Sequence, residues 1–237
     1  ENLRFSASLY GVPWWETRRR ISQLLAFVDL ADARKRRAED LSGGMRRRLS
    51  LAATLMHDPD FLVLDEPTAG IDPILRTSIW EGFRAQREEG KTMVVTTQYV
   101  TEAEYCDHVL LIHEGAIIAA GTPSELRRAA TGGDMLDITF DRPRPDFERR
   151  LQSLPYVHDI EPLDNPNAVR VVVDDVATDL PELNAYCDRE EGGCLSIEPH
   201  VPTFDDVFVR LVSQARDTQQ GSEDGDTHRP TPPPVAD

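Results

Sequence analysis

In Phe61-Leu62-Val63-Leu64-Asp65-Glu66, four consecutive apolar residues run directly into two carboxylates. A short, continuous apolar run is typical of a strand that is buried on both faces of a parallel sheet. Ligands of open α/β sheets bind beyond the carboxyl ends of the strands. Asp65 could therefore hold Mg²⁺, which prefers oxygen ligands, while Glu66 could orient or deprotonate a water. Taken alone, the pattern also fits an ordinary strand-end turn.

Upstream of this strand, Leu41-Ser42-Gly43-Gly44-Met45 opens a helix. Ser42 is a plausible N-cap residue, and the two glycines would let a ligand approach the backbone N–H groups at the positive end of the helix dipole. That arrangement suits a phosphate group. An ordinary serine-capped helix explains the same residues when they are considered alone.

Downstream, Asp72-Pro73 predicts an N-cap followed by proline at the first helical position, and Gly90 predicts the end of that helix. Thr92 to Thr96 is predicted to be the next buried strand. Gln98 then places a polar amide at the same sheet edge as Asp65 and Glu66, although a simple turn is the alternative. Helix and strand alternate over residues 40–130, which indicates an α/β layer with a parallel sheet.

Residues 134–212 repeat the alternation in the order β-α-β-β-α-β, which predicts a small ferredoxin-like α+β domain. From about Ser213 the chain is rich in Gln, Gly, Asp, Thr and Pro, and residues 213–237 are predicted to be a disordered tail. No two of the three cysteines, Cys106, Cys187 and Cys194, form a C-x-x-C motif, so we expect all three to be reduced thiols.

The formal net charge of −16 is unevenly distributed. It is −2 over residues 1–130, −11 over residues 131–212 and −3 over residues 213–237. The pI near 4.8 argues against a nucleic-acid partner, which usually meets a basic face. No apolar run approaches the ~18–20 residues that a membrane span needs.

Taken together, the order and spacing of these motifs resemble the ATP-binding-cassette (ABC) ATPase family. In that family the segment matching residues 41–45 is the signature motif, and an apolar strand ending in Asp-Glu is the Walker B strand with its catalytic glutamate. Gly70-Ile71-Asp72 resembles the D-loop, and Gln98 stands at the switch position, where most members have histidine. Thr96-Thr97-Gln98-Tyr99 and the acidic second domain look like the drug- and antibiotic-resistance exporters of the daunorubicin type.

The resemblance implies cofactors, partners and residue roles. ATP would be bound with Mg²⁺ between two ATPase subunits arranged head to tail, beside an ABC-2-type membrane permease. The ATPase would be cytoplasmic and peripheral on the inner face of the cell membrane, and its cargo would be drug-like or lipid-like. The resemblance implies that Glu66 activates the water, that Gln98 senses the γ-phosphate and that Asp65 binds Mg²⁺. Asp72 would communicate between the two sites. The residues that would cap the partner's nucleotide are Leu41, Ser42, Gly43, Gly44 and Met45.

The family's phosphate loop, G-x-x-x-x-G-K-[ST], does not occur in the 237 residues. The nearest match to this motif is Gly90-Lys91-Thr92. Because the triplet precedes a strand, we interpret it as a chance match. We therefore expect an N-terminally incomplete chain that is inactive by itself. An ABC ATPase domain is expected over 1–130, with a helical subdomain over 1–57, and an accessory domain over 131–212. A truncated non-catalytic ABC protein and a soluble ABC ATPase of translation or repair are the alternatives.

Overall fold

The computed structural model describes residues 1–142, 145–189 and 194–223. The chain divides into two compact units, Glu1–Tyr105 and Cys106–Asp237. This division falls earlier than the boundary expected near residue 130, and each unit is described separately below.

The first unit begins with a helical segment, where the helical subdomain over residues 1–57 is expected. Apolar residues spaced three and four apart on α2 bury Ile21 and Leu25 against the neighbouring helices. The Ser6 hydroxyl of α1 donates a hydrogen bond to the Ala53 carbonyl oxygen of α3, at 2.9 Å. The elements are α1 (Asn2–Leu9), α2 (Trp14–Phe27), a 3₁₀ turn (Ala38–Asp40), α3 (Gly43–Thr54) and a second 3₁₀ turn (Leu55–His57).

The helical segment is followed by the predicted strand–helix–strand. β1 (Phe61–Asp65) and β2 (Thr92–Thr96) pair in parallel, with Phe61 opposite Thr92 and Asp65 opposite Thr96. α4 (Pro73–Glu88) connects them, and Gly90 follows its last turn with φ of 93°. A 3₁₀ helix (Val100–Tyr105) closes the unit. Because a parallel register aligns the strand ends, the residues after Asp65 and Thr96 lie at one edge of the sheet.

The prediction that β1 is buried on both faces is wrong. Leu62 and Leu64 are buried, whereas Phe61 and Val63 are 59% and 65% exposed. β2 is likewise not fully buried, since Val94 is 49% exposed. Alternate residues of a strand point to opposite faces, and the described helices of this unit cover only one of them.

The second unit begins with a hairpin, β3 (Val109–His113) and β4 (Ala116–Gly121). Glu114 and Gly115 both have positive φ, which matches a two-residue turn that follows the strand twist. The rest of the unit comprises α5 (Pro123–Thr131), β5 (Asp134–Phe140), α6 (Pro145–Leu151), β6 (Val157–Pro162), β7 (Ala168–Val173), α7 (Val176–Arg189), β8 (Cys194–His200) and α8 (Phe204–Glu223).

The four strands β5 to β8 confirm the ferredoxin-like prediction. Their order across the sheet is β6-β7-β5-β8, and every neighbouring pair is antiparallel. The β-α-β-β-α-β connectivity therefore places the first and third strands side by side in the middle. Leu136, Ile138 and Val171 are fully buried beneath α6 and α7.

Helix α5 packs against α8 within the second unit. Arg127 Nε donates to the Pro202 carbonyl oxygen at 3.3 Å, and Gln214 donates to the Ala130 carbonyl oxygen at 3.2 Å. These contacts explain why residues before 130 cluster with the accessory domain rather than with the first unit.

Two further expectations are corrected by the second unit. α8 continues to Glu223, so residues 213–223 are helical instead of disordered, while residues 224–237 lie outside the described residues. Cys187 and Cys194 form a disulfide with their Cα atoms 5.6 Å apart, so these two are not reduced thiols. The end of α7 and the start of β8 bring the two side chains within the range that a disulfide requires.

Candidate functional site

The carboxyl ends of β1 and β2 are joined by hydrogen bonds. The Thr96 hydroxyl donates to the carboxylate oxygen Oδ1 of Asp65. The Glu66 backbone N–H donates to the Thr96 carbonyl oxygen at 3.0 Å and lies 3.1 Å from the Thr96 hydroxyl oxygen. The structure thus brings Asp65, Glu66 and Thr96 together, and Asp65 remains exposed.

Glu66 has an unusual backbone conformation. Its φ of 44° lies in the left-handed region, which residues other than glycine rarely adopt. The turn that follows is closed by hydrogen bonds from Ala69 N–H to the Glu66 carbonyl oxygen and from Ile71 N–H to that of Thr68, each at 3.2 Å. Backbone in sparsely populated conformations concentrates at functional sites because the surrounding contacts must hold it there.

The start of α3 has the predicted cap. The Ser42 hydroxyl accepts a hydrogen bond from Met45 N–H at 3.3 Å. Ser42 and Gly43 are exposed, whereas the Leu41 side chain is buried and anchors the segment. A Cβ built on Gly44 would lie 3.6 Å from the Gly70 carbonyl oxygen. The first turn of α3 therefore lies beside the turn that precedes Asp72.

Asp72 and Gln98 are both exposed in the first unit. Asp72 caps α4, because its carboxylate oxygen Oδ1 accepts a hydrogen bond from Leu75 N–H at 3.0 Å, as the sequence predicts. Gln98 lies two residues beyond the end of β2, where Tyr99 N–H donates to the Thr97 hydroxyl at 3.0 Å. The buried Thr68 and Glu102 and the partly buried Arg76 form a further group beside these loops. The sequence does not predict this group, because side-chain partners 34 residues apart leave no local pattern.

Lys91 is part of an ion pair in the structure. Its ammonium group contacts Asp58, and its side chain is only 9% exposed. The hydrogen bond from Lys91 and the neighbouring Arg20 guanidinium hold the pKa of the Asp58 carboxyl below its usual value. Gly90-Lys91-Thr92 links the end of α4 to β2, whereas a phosphate loop links a strand to a helix.

The two units match two protein-family models. Residues 1–69 match the family described as ABC transporter. Residues 121–212 match the C-terminal domain of ATP-binding proteins like DrrA1-3. The two carboxylates at the end of β1, and the serine-capped helix that begins with two glycines, therefore lie in a chain that matches an ABC transporter family model.

The similar proteins include resistance proteins of two bacteria. The chain is 31% identical to the linearmycin resistance ATP-binding protein LnrL of Bacillus subtilis (strain 168), over 90% of this chain and 69% of the relative. It is 34% identical to the daunorubicin/doxorubicin resistance ATP-binding protein DrrA of Streptomyces peucetius, over 94% and 68%. A solved structure titled as the ATP binding subunit of an ABC transporter aligns over 54% of each chain, with 27% identity and a TM-score of 0.48.

The chain belongs to the ATP-binding proteins of ABC transporters. The expected resemblance to the drug- and antibiotic-resistance group is confirmed by the matches to LnrL, to DrrA and to the DrrA-like C-terminal domain. The chain spans about two thirds of the length of those two relatives and less than half of others that it resembles.

Proposed function

We propose that this chain is the ATP-binding and hydrolysing part of an ABC exporter that couples ATP hydrolysis to transport of drug-like or lipid-like compounds. The observation that carries the proposal is the pair Asp65 and Glu66 at the joined ends of two parallel strands. The names of relatives that confer resistance to linearmycin and daunorubicin support the transport class.

Glu66 is the residue assigned to water activation. A carboxylate adjacent to the transferred phosphoryl group can orient and polarise the attacking water. The turn after β1, closed by the Ala69 and Ile71 backbone hydrogen bonds, holds Glu66 in its left-handed conformation. Gln98 serves as the γ-phosphate sensor, since its amide can donate hydrogen bonds but cannot move a proton as histidine can.

Asp65 is the residue assigned to Mg²⁺. Its exposed carboxylate lies beside the Thr96 hydroxyl, and these hard oxygen donors are the type that Mg²⁺ prefers. When bound, the ion supplies charge neutralisation for the phosphate oxygens. The Thr96 hydroxyl supports the Asp65 carboxylate through a hydrogen bond to Oδ1.

The start of α3 is assigned to the nucleotide of a second copy of the chain. The backbone N–H groups of Ser42, Gly43 and Gly44 are suited to cap a phosphate, because the positive end of the helix dipole is exposed there. Leu41 and Met45 flank them, and the buried Leu41 side chain anchors the loop. Asp72 follows Gly70, whose carbonyl oxygen lies near Gly44, by two residues. We assign it to communication between the two sites of a head-to-tail dimer.

A membrane permease is the proposed second partner. Aromatic side chains on the helical segment are unusually exposed, with Trp14 at 82% and Trp15 at 66%, and this supports a docking surface there. Among the described residues, no helix is both long and apolar enough to cross a membrane. We assign the membrane passage to a separate subunit and this chain to the inner face of the membrane.

The test is ATP hydrolysis by the purified full-length gene product, comparing wild type with Glu66→Gln. We expect turnover to fall by at least about a hundred-fold, because the amide no longer polarises the attacking water. Glu81→Gln is the matched control, since Glu81 is an exposed acid of the same unit. Turnover in Glu66→Gln equal to that of the control would refute the assignment.

A further inference from the structure

Glu102 is an acidic side chain buried in the first unit without a role in the proposed chemistry. It is 1% exposed and lies in the 3₁₀ helix that follows Gln98. Burying a carboxylate is costly unless hydrogen bonds and an opposite charge compensate it. Its contacts therefore indicate why the chain keeps a charge there.

Two groups meet one oxygen of Glu102. The buried Thr68 hydroxyl donates a hydrogen bond to Oε1 at 2.7 Å. The Arg76 Nε atom lies 3.6 Å from the same oxygen. Thr68 is two residues beyond Glu66, so the carboxylate of Glu102 contacts the turn that follows β1.

Arg76 extends the group to two further segments. Its Nη2 donates to the Ile71 carbonyl oxygen at 3.2 Å, immediately before Asp72. Its guanidinium carbon lies 3.8 Å from the centre of the Tyr99 ring, immediately after Gln98. Such a cation–π contact adds attraction between α4 and the segment after β2.

Backbone hydrogen bonds connect this group to the proposed catalytic positions. Thr68 accepts from Ile71 N–H at 3.2 Å, and Glu102 N–H donates to the Tyr99 carbonyl oxygen at 3.0 Å. A displacement of Glu102 would therefore reach the Glu66 turn through Thr68 and the Gln98 segment through Tyr99. Misplacement of reacting groups by about 1 Å can slow an enzyme by roughly a hundred-fold.

We infer that Glu102 and Arg76 are positioning residues that lock the Glu66 turn, the Asp72 turn and the Gln98 segment into one arrangement. The expected effect on catalysis rests on the proposed function. The contacts among Thr68, Arg76 and Glu102, called the lock below, are a property of the folded chain. Glu102→Gln retains an oxygen for the Thr68 hydroxyl and removes the charge that faces Arg76. Thr68→Val removes the hydroxyl at nearly constant volume, and Thr68→Ser restores it.

The first measurement is amide hydrogen exchange on this 237-residue chain without nucleotide. In Glu102→Gln and in Thr68→Val, we expect exchange to rise about five-fold or more in residues 66–72 and 98–102, while α1 and α2 stay unchanged. Thr68→Ser and the exposed Glu81→Gln should match wild type. Unchanged exchange in both segments would overturn the inference, whether or not the protein hydrolyses ATP.

The second measurement is steady-state ATP hydrolysis by the full-length gene product. We expect kcat of Glu102→Gln to fall about ten-fold with KM for ATP within about two-fold, because positioning acts on the transition state. Arg76→Gln should act on the same lock, so the double variant should lose little more than either single variant. A kcat equal to that of Glu81→Gln would overturn the catalytic role.

The two measurements separate the two proposals. Faster exchange in the variants of a protein whose wild type has no ATPase activity would sustain the lock and refute the proposed function. A full loss of kcat with unchanged exchange would leave the proposed function standing and refute the lock.

Discussion

Asp65 and Thr96 are direct partners in the parallel sheet, and the Thr96 hydroxyl donates a hydrogen bond to the Asp65 carboxylate. The same threonine accepts the Glu66 N–H through its carbonyl oxygen. One residue of β2 therefore contacts both the Asp65 carboxylate and the backbone of Glu66. This relationship makes Thr96 a supporting residue of the proposed Mg²⁺ site.

Thr96→Val tests that support. Loss of the hydroxyl should free the Asp65 carboxylate to rotate, and the removal of such a supporting hydrogen bond typically lowers metal affinity or activity by about ten- to a hundred-fold. We expect a matching rise in the Mg²⁺ concentration needed for half-maximal ATP hydrolysis. Thr96→Ser keeps the hydroxyl and should behave as wild type, whereas equal Mg²⁺ dependence in both variants would contradict the role.

The Arg128 guanidinium predicts a pH dependence of stability in the second unit. It donates to both carboxylate oxygens of Asp134, each at 2.9 Å, and to Asp175 at 3.1 Å. These bonds hold the pKa of each carboxyl below its usual value, Asp134 being also hydrogen-bonded by Val176 N–H. The stabilisation is therefore present above about pH 4 and is lost as the pH falls through the lowered pKa values.

Urea unfolding from pH 3 to pH 7 measures this effect. In wild type, the free energy of unfolding should decrease as the pH is lowered below about 4. Arg128→Gln should be less stable than wild type near neutral pH, and the two should converge toward pH 3. A constant difference between the two proteins over the whole range would contradict the assignment. Arg149→Gln removes an exposed arginine of the same unit and serves as the control.

The Cys187–Cys194 disulfide predicts a redox dependence of stability. Closing a loop over a sequence separation of 7 should stabilise the folded state by about 2–3 kcal/mol through the unfolded chain. Unfolding with and without dithiothreitol should show that difference in wild type and none in Cys187→Ser. Cys106→Ser should retain it. Thiol titration of the denatured, unreduced chain should find one thiol, and three thiols would contradict the disulfide.

Interactions between near neighbours were predictable from the sequence. Ser42 and Asp72 each cap a helix through a hydrogen bond that spans three residues, so their patterns appear directly in the chain. The order of the second unit's strands and helices likewise follows from local periodicity. The β6-β7-β5-β8 pairing agrees with that order because a ferredoxin-like connectivity permits few arrangements.

Features that depend on distant residues were not predictable. The exposure of Phe61 and Val63 depends on what covers the sheet, which the apolar run itself does not specify. The contact between Thr68 and Glu102 joins residues 34 apart. Residues 213–223 continue α8, which packs on α5 near Gln214. The polar composition of these residues gives no indication of that packing.

We propose that Glu66 of one copy and Ser42 of another act on the same nucleotide. Mixing the inactive full-length variants Glu66→Gln and Ser42→Arg tests it most directly, because each mixed head-to-tail dimer would contain one site with both defects and one intact site. After subunit exchange of an equimolar mixture, we expect recovery to about a quarter of the wild-type ATPase rate, because half of the dimers are mixed and each mixed dimer has one intact site. A mixture no more active than either variant alone would show that the two residues do not share a nucleotide.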